Sequence, residues 1–97
     1  MAYKLTIHDI VLIELEEAFA WYSKISPELS EDIGKKFLGA VRNIQQNPLQ
    51  NPELNGGFRK LNLERFPYKI VYKIFPGEIL VVAMAHHKKR PNYWKKS

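Results

Sequence analysis

The chain has 97 residues, a hydrophobic fraction of 45%, a formal net charge of +5 and no cysteine. This length suits a single two-layer core, so we expect one domain over residues 1–97. The lack of cysteine excludes disulfides and thiolate metal sites. No stretch approaches the roughly 20 apolar residues of a membrane span, and the N-terminus lacks the apolar segment of a signal peptide. We therefore expect a cytoplasmic protein with no membrane contact.

The positive charge is concentrated in the second half of the chain. Residues 1–50 hold five basic and seven acidic side chains, whereas residues 51–97 hold ten basic and three acidic ones. A basic surface can serve solubility alone. Its concentration on one part of the fold favours an anionic partner, either nucleic acid or an acidic protein segment.

The N-terminal segment predicts a short strand followed by a helix. Apolar and polar residues alternate from Tyr3 to Ile7, as in a strand with one buried face. Asp9 is the expected N-cap of the helix. Spacings of three and four residues predict a buried stripe of Val11, Leu15, Ala18, Tyr22 and Ile25.

The other side of this helix is predicted to be polar. Glu14, Glu17 and Lys24 are expected to face solvent there. Trp21 lies on the same side, where it either packs against the next helix or marks a surface for a partner.

A second helix follows directly. Ser26 is the expected cap and Pro27 the first helical residue, where no N–H is needed. Pro48 stops this helix, and the two helices form an αα-hairpin. The predicted buried stripe consists of Leu29, Ile33, Phe37, Ala40, Val41 and Ile44.

The remaining residues predict a β-meander. Residues 60–64 and 70–75 alternate as strands, and Pro76 with Gly77 fits a turn in which glycine supplies the positive φ. Residues 79–85 are apolar on both faces, as in a central strand. The fold class is therefore α+β: an N-terminal strand, an αα-hairpin and a three-stranded antiparallel meander in two layers.

The segment after the last strand offers the strongest local chemistry. His86 could act as a general acid or base, with Arg90 stabilising phosphate charge and Tyr93 as a second proton donor or stacking surface. The structural alternative is that His86 caps the strand and Arg90 is solvated. Adjacent histidines on a strand point to opposite faces and no acidic or thiol ligand follows at ligand spacing, so we expect no metal and no cofactor.

Cations and aromatic rings on the meander could bind a target or a partner. Rigid cations suit phosphate or carboxylate groups, and aromatic rings can stack on bases. The alternative for the lysines is prevention of edge-to-edge aggregation, and for Trp94 the pinning of the tail. Arg59 shares a face with Leu61 and is expected at the inner margin of the sheet. The candidates are Arg59, Lys60, Arg65, Tyr68, Lys69 and Trp94.

Five features follow one another along the chain: Trp21-Tyr22, Asn47-Pro48, the Arg59 strand, Phe66-Pro67-Tyr68-x-Ile70-x-Tyr72 and His86-x-x-x-Arg90-Pro91-x-Tyr93-Trp94. In this order they resemble the RelE/ParE family of bacterial type II toxin–antitoxin (plasmid stabilisation) toxins. The resemblance covers essentially the whole chain and implies the family's two-layer fold. It also implies growth inhibition, held in check by a cognate antitoxin, for which the charge suggests an acidic segment.

The family divides by target. RelE-like members cleave mRNA on the ribosome with basic and aromatic residues, whereas ParE-like members poison DNA gyrase and are not enzymes. The resemblance places Lys60, Lys69, Arg90 and Tyr93 near the RelE-like active positions. Asn62, however, stands where a second basic residue would be expected.

Three functions follow from the resemblance, in order of preference. The first is a ParE-like gyrase poison, because the Phe-Pro-Tyr segment and the Arg-Pro-x-Tyr-Trp tail are more similar to that branch. The second is a ribosome-dependent endoribonuclease, with His86, Arg90 and Tyr93 as catalytic residues. The third is a non-toxic relic that binds only an antitoxin or operator DNA. A homodimer and a toxin–antitoxin hetero-oligomer are both compatible with the sequence.

Overall fold

The computed structural model describes residues 3–88 and 93–96. Two helices follow the first strand, and three further strands complete a single sheet. The elements are β1 (Lys4–Ile7), α1 (Asp9–Ile25), α2 (Pro27–Gln46), β2 (Phe58–Asn62), β3 (Tyr68–Phe75) and β4 (Glu78–His86), with short 3-10 turns at Asn55–Gly57 and Tyr93–Lys96.

The sheet has the strand order β1-β4-β3-β2. The pairs β2–β3 and β3–β4 are antiparallel, which confirms the predicted meander. β1 joins this meander in parallel with β4, with Leu5 opposite Ile79 and Ile7 opposite Val81. β4 is thus the central strand that the apolar run of residues 79–85 predicted. Its residues Ile79, Val81 and Ala83 are fully buried.

Both helices pack on one face of the sheet. Ile33 and Ile44 of α2 are fully buried, and they belong to one cluster with Ile70, Tyr72 and Ile79 of the sheet. Full burial of such a side chain contributes about 1.5–3 kcal/mol, so this layer supplies most of the apolar stabilisation. We call this side of the sheet the helix face and the other side the open face.

The capping predictions have different outcomes. Ser26 caps α2 as predicted, since its hydroxyl accepts the N–H of Glu28 at 3.2 Å. The N-cap of α1 is His8, not Asp9: the His8 Nδ1 accepts the N–H of Ile10 at 3.1 Å. The backbone of His8 is extended and Asp9 already lies within the first helical turn, so His8 occupies the capping position.

Three predictions for the faces of α1 are corrected or decided. Ile25 is 60% exposed, because it is the last residue of α1, where the chain turns into α2. Trp21 is also 60% exposed, so most of its surface faces solvent. Glu14 is only 5% exposed and faces the sheet rather than solvent.

A β-bulge in β4 changes which face its last residues occupy. Val71 pairs with Ala83 whereas Tyr72 pairs with Val81, so Val82 is an extra residue. Strict alternation from Ile79 would place His86 on the open face. With the bulge, Val82 and Ala83 both join the open-face cluster, and His86 lies on the helix face beside α1.

No helix among the described residues is long and apolar enough to cross a membrane. The β3–β4 turn is formed as predicted, with Gly77 at a φ of +72°.

Candidate functional site

A small cleft lies between α1 and the end of β4. Its volume is about 110 Å³. α1 contributes Glu14 and Glu17, and the sheet contributes Tyr68, Met84 and His86. The bulge described above places His86 here, so this α1–β4 cleft combines an imidazole and a phenol with two carboxyl groups.

Glu14 is the centre of the hydrogen bonding in this cleft. Its Oε1 accepts the backbone N–H of Met84 at 2.9 Å, and its Oε2 accepts the hydroxyl of Tyr93. β1 pairs with β4 only as far as Val81, so the Met84 N–H lies beyond the reach of that ladder. A buried N–H without an acceptor costs about 1–3 kcal/mol, and Glu14 removes this cost.

The contact with Glu14 determines the state of the Tyr93 phenol. Burial raises the pKa of Tyr93, and the hydrogen bond to Glu14 and its negative charge raise the pKa further. The phenol therefore stays protonated, and its O–H donates a hydrogen bond to a carboxylate of the same chain. A general acid must instead deliver its proton to a substrate in the site.

His86 is oriented by its neighbours. Its Nδ1 accepts the backbone N–H of Lys88 at 3.0 Å, as the strand-capping alternative predicted. Its ring meets that of Tyr68 edge to face, with 5.1 Å between the centroids. Burial raises the pKa of Tyr68, and the charges of Tyr22 and Glu17 act in the same direction. Because Glu14 and Glu17 also line this cleft, it favours neutral or cationic groups over phosphate.

The two predicted lysines of the meander, Lys60 and Lys69, occupy the open face. Lys60 pairs with Val71, a member of the open-face cluster, and therefore shares its side of the sheet. The Nζ of Lys69 lies 5.3 Å from the centroid of Trp94, within the range of a cation–π contact. Trp94 itself is 4% exposed and packs against Val82 and its neighbours, which agrees with a role in pinning the tail.

Arg59 lies at the inner margin of the sheet, as predicted, and binds the chain's own loop. Its guanidinium donates to the carbonyl of Asn51 at 2.6 Å and to Glu53 at 3.0 Å. Asn51 in turn donates to the hydroxyl of Tyr72, which donates to the carbonyl of Pro48 at 2.6 Å. This network holds the loop between α2 and β2, so Arg59 has a structural role beside any role in binding.

Arg65 lies in the turn between β2 and β3 and faces α2. Its guanidinium donates to Asp32 at 2.7 Å and lies 5.7 Å from the ring centroid of Phe66. Its φ is +74°, a left-handed conformation that a residue with a Cβ rarely adopts. The ion pair and the ring contact help to hold this turn.

The predicted site residues therefore separate into distinct places. His86, Tyr68 and the Tyr93 hydroxyl meet at the α1–β4 cleft, whereas Lys60 and Lys69 lie on the opposite face. Arg90 lies outside the described residues. Within the described part of the chain, no group of three or more histidine or acidic side chains could hold a metal ion.

Sequence reasoning missed Glu14, although a signal was present. Glu14 follows Val11 by three residues and precedes Ala18 by four, which are the same spacings that place Leu15 on the buried stripe. A carboxylate at the margin of a buried stripe indicates an internal donor. The donors could not be named, because the bulge in β4 and the position of Tyr93 decide them.

Comparison with known proteins agrees with this architecture. The fold matches that of a toxin–antitoxin structure described as the chromosomal ParDE TA system from P. aeruginosa. The TM-score is 0.77 and the identity 22%, with 88% of this chain and 96% of the other covered. A double mutant of the E. coli toxin RelE in the free state matches with a TM-score of 0.59 at 21% identity, covering 91% of this chain and 86% of the other. The fold is thus that of RelE/ParE toxins.

Sequence comparison gives the branch. The profile of the family described as ParE toxin of type II toxin-antitoxin system, parDE, matches residues 5–91. Toxin ParE2 of Mycobacterium tuberculosis, from strains CDC 1551 and H37Rv, is 29% identical over 93 residues, which cover 95% of this chain and 89% of the relative. This chain belongs to the ParE toxin family of type II toxin–antitoxin systems, and its partner is a cognate antitoxin.

Proposed function

We propose that this toxin arrests growth by binding DNA gyrase and does not cut RNA. One observation supports the proposal: the groups that a ribonuclease would combine lie on opposite faces of the sheet. His86 is on the helix face with two carboxyl groups, and the Tyr93 hydroxyl is bonded to one of these, whereas Lys60 and Lys69 are on the open face. Acid–base groups and phosphate-binding cations must reach the same phosphate within hydrogen-bonding distance.

A gyrase assay tests this proposal. Purified toxin, added to gyrase and supercoiled plasmid, is expected to trap gyrase on cleaved DNA, which appears as linear plasmid after denaturation and proteolysis. His86→Gln and Tyr93→Phe are expected to retain this activity at matched folded concentration, because neither group acts on a substrate. Codon-specific mRNA cleavage on translating ribosomes, with gyrase unaffected, would contradict the proposal.

The open face favours a second candidate, a ribosome-dependent endoribonuclease. Lys60 and Lys69 share this face with the aromatic ring of Trp94. If this function holds, Lys60→Ala and Lys69→Ala are expected to abolish mRNA cleavage by the purified protein. A protein that is inactive in both assays but binds its antitoxin would be the non-toxic relic.

We also infer that the antitoxin presents an acidic segment and that toxin and antitoxin meet in the cytoplasm. The charge supports the first part, since the strands and tail hold most of the excess of basic residues. Such steering weakens as salt shortens the Debye length below about 10 Å. An affinity for the antitoxin that is unchanged between low and high salt would remove the electrostatic part of this proposal.

A further inference from the structure

A pocket of about 250 Å³ lies on the open face, away from the α1–β4 cleft. Leu80 and Val82 contribute aliphatic surface from β4. Phe58, Phe75 and Trp94 contribute aromatic surface from two further strands and the tail. Sites for drug-sized molecules span roughly 300–1,000 Å³, so this pocket suits one large apolar side chain better than a cofactor.

Hydrogen-bond donors border the apolar surface. The Nζ of Lys73 lies 5.2 Å from the ring centroid of Phe58 and 5.7 Å from that of Phe75, which positions the ammonium between two rings. His8 also lines the pocket, and its Nδ1 is an acceptor in the α1 cap. A neutral His8 therefore carries its proton on Nε2, as a donor.

The face around the pocket is strongly basic. Among the described strand residues, register and alternation place Lys4, Lys60, Lys69 and Lys73 on the open face, with Glu78 as the one acidic side chain. An apolar pocket within such a surface excludes a basic partner and attracts an acidic one. A nucleic acid would match the charge, but it has no apolar side chain to fill a pocket lined by aliphatic and aromatic groups.

We propose that this pocket holds one apolar anchor side chain of an acidic peptide segment, which the lysines align along the open face. This inference rests on the proposed binding of an acidic antitoxin segment and specifies where and how that segment is held. In protein interfaces a few desolvated side chains often supply most of the binding energy, while the contacts around them exclude water.

Two fluorescein-labelled peptides test the proposal on the full-length toxin. The first alternates Asp and Glu around one central leucine, and the second has serine in place of that leucine. By fluorescence anisotropy the leucine peptide is expected to bind at least about fivefold more tightly, which corresponds to a modest hot spot. Phe75→Ala should remove most of this preference, because Phe75 is 40% exposed and borders the pocket without being part of the core.

Matched variants separate the pocket from general effects. Ile25→Ala removes an apolar side chain that is 60% exposed on α1, and it should leave both affinities within about twofold of wild type. Lys73→Gln should weaken both peptides and reduce their salt dependence, whereas Lys35→Gln, on α2, should do neither. Thermal melts verify that each variant is folded.

Two results would overturn the inference. One is equal affinity of wild-type toxin for the leucine and serine peptides. The other is an equal loss of the preference for the leucine peptide in Phe75→Ala and Ile25→Ala. The gyrase assay keeps this test distinct from the proposed function, since Phe75→Ala should still trap gyrase on DNA. If wild-type toxin leaves gyrase unaffected while the leucine preference and its loss in Phe75→Ala hold, the pocket proposal stands and only the target is wrong.

Discussion

Glu14 offers the sharpest test of how this fold is held together. Replacing it by alanine removes the acceptor of two hydrogen bonds and leaves the Met84 N–H buried without its partner. Hydrogen bonds to a charged group contribute about 1.5–3 kcal/mol each. Part of this is offset, because the variant no longer buries a carboxylate. We therefore expect Glu14→Ala to lower the free energy of unfolding by about 3 kcal/mol.

The measurement is urea or thermal unfolding followed by circular dichroism. For a domain of this size, a loss of about 3 kcal/mol corresponds to a drop in Tm of about 12–24 °C. Glu14→Gln keeps one carbonyl oxygen for the Met84 N–H and should cost only about 1 kcal/mol. Glu17→Ala is the matched control three residues along the same helix, and it should change stability by less than about 0.5 kcal/mol.

A double-mutant cycle tests the link to the tail. Tyr93→Phe removes only the hydroxyl that donates to Glu14 and should cost about 1–2 kcal/mol alone. In the Glu14→Ala background the same change should cost almost nothing, which gives a coupling of about 1–2 kcal/mol. The reasoning is refuted if Glu14→Ala is no more destabilising than Glu17→Ala, or if the two changes are additive.

Three further outcomes follow from individual contacts. Because the pKa of Tyr93 is raised in the folded protein, the unfolded chain loses the phenol proton first, near the ordinary pKa of 10.0. The free energy of unfolding should therefore fall as pH rises above about 10. Urea titrations at several pH values should show a shallower fall for Tyr93→Phe. Arg65→Gly and Arg65→Ala both lose the ion pair with Asp32, but only glycine relieves the left-handed backbone, so denaturation should show the glycine variant to be more stable by about 1 kcal/mol. In Arg59→Ala the carbonyl of Asn51 loses its donor, so the free energy of unfolding should fall by about 1.5–3 kcal/mol. Limited proteolysis after the end of α2 should also become faster. Equal cleavage rates in wild type and variant would contradict this.

The order and type of the elements could be predicted because the apolar periodicity agrees with the packing almost everywhere. The stripe of α2 and the two-sided apolar run of β4 leave few alternatives for which surfaces meet. Ser26, Pro27 and Gly77 occupy their predicted local positions, whereas the cap of α1 lies one residue before the predicted Asp9, at His8. At Glu14 the error arises because a tertiary contact, the hydrogen bond from the Met84 N–H, replaces the local preference of a carboxylate for solvent.

The composition of the site was less predictable for the same reason. A single extra residue at Val82 moves His86 from one face of the sheet to the other, and sequence alternation contains no sign of it. The contacts of Arg59 and Tyr93 are with carbonyl and carboxyl groups 8 and 79 residues away in the chain. Residue type indicated that these side chains bind anionic or carbonyl oxygens, but it did not indicate that the oxygens belong to the protein itself.

The tail connects the two faces of the sheet. Tyr93 donates to Glu14 on the helix face, while its neighbour Trp94 lines the pocket on the open face. The two rings are also in contact, with 5.4 Å between their centroids. A side chain that enters the pocket therefore touches a residue whose neighbour is hydrogen-bonded to α1. Tyr93 and Trp94, two adjacent residues in ring contact, thus bridge the open-face pocket and the hydrogen bond to Glu14 of α1.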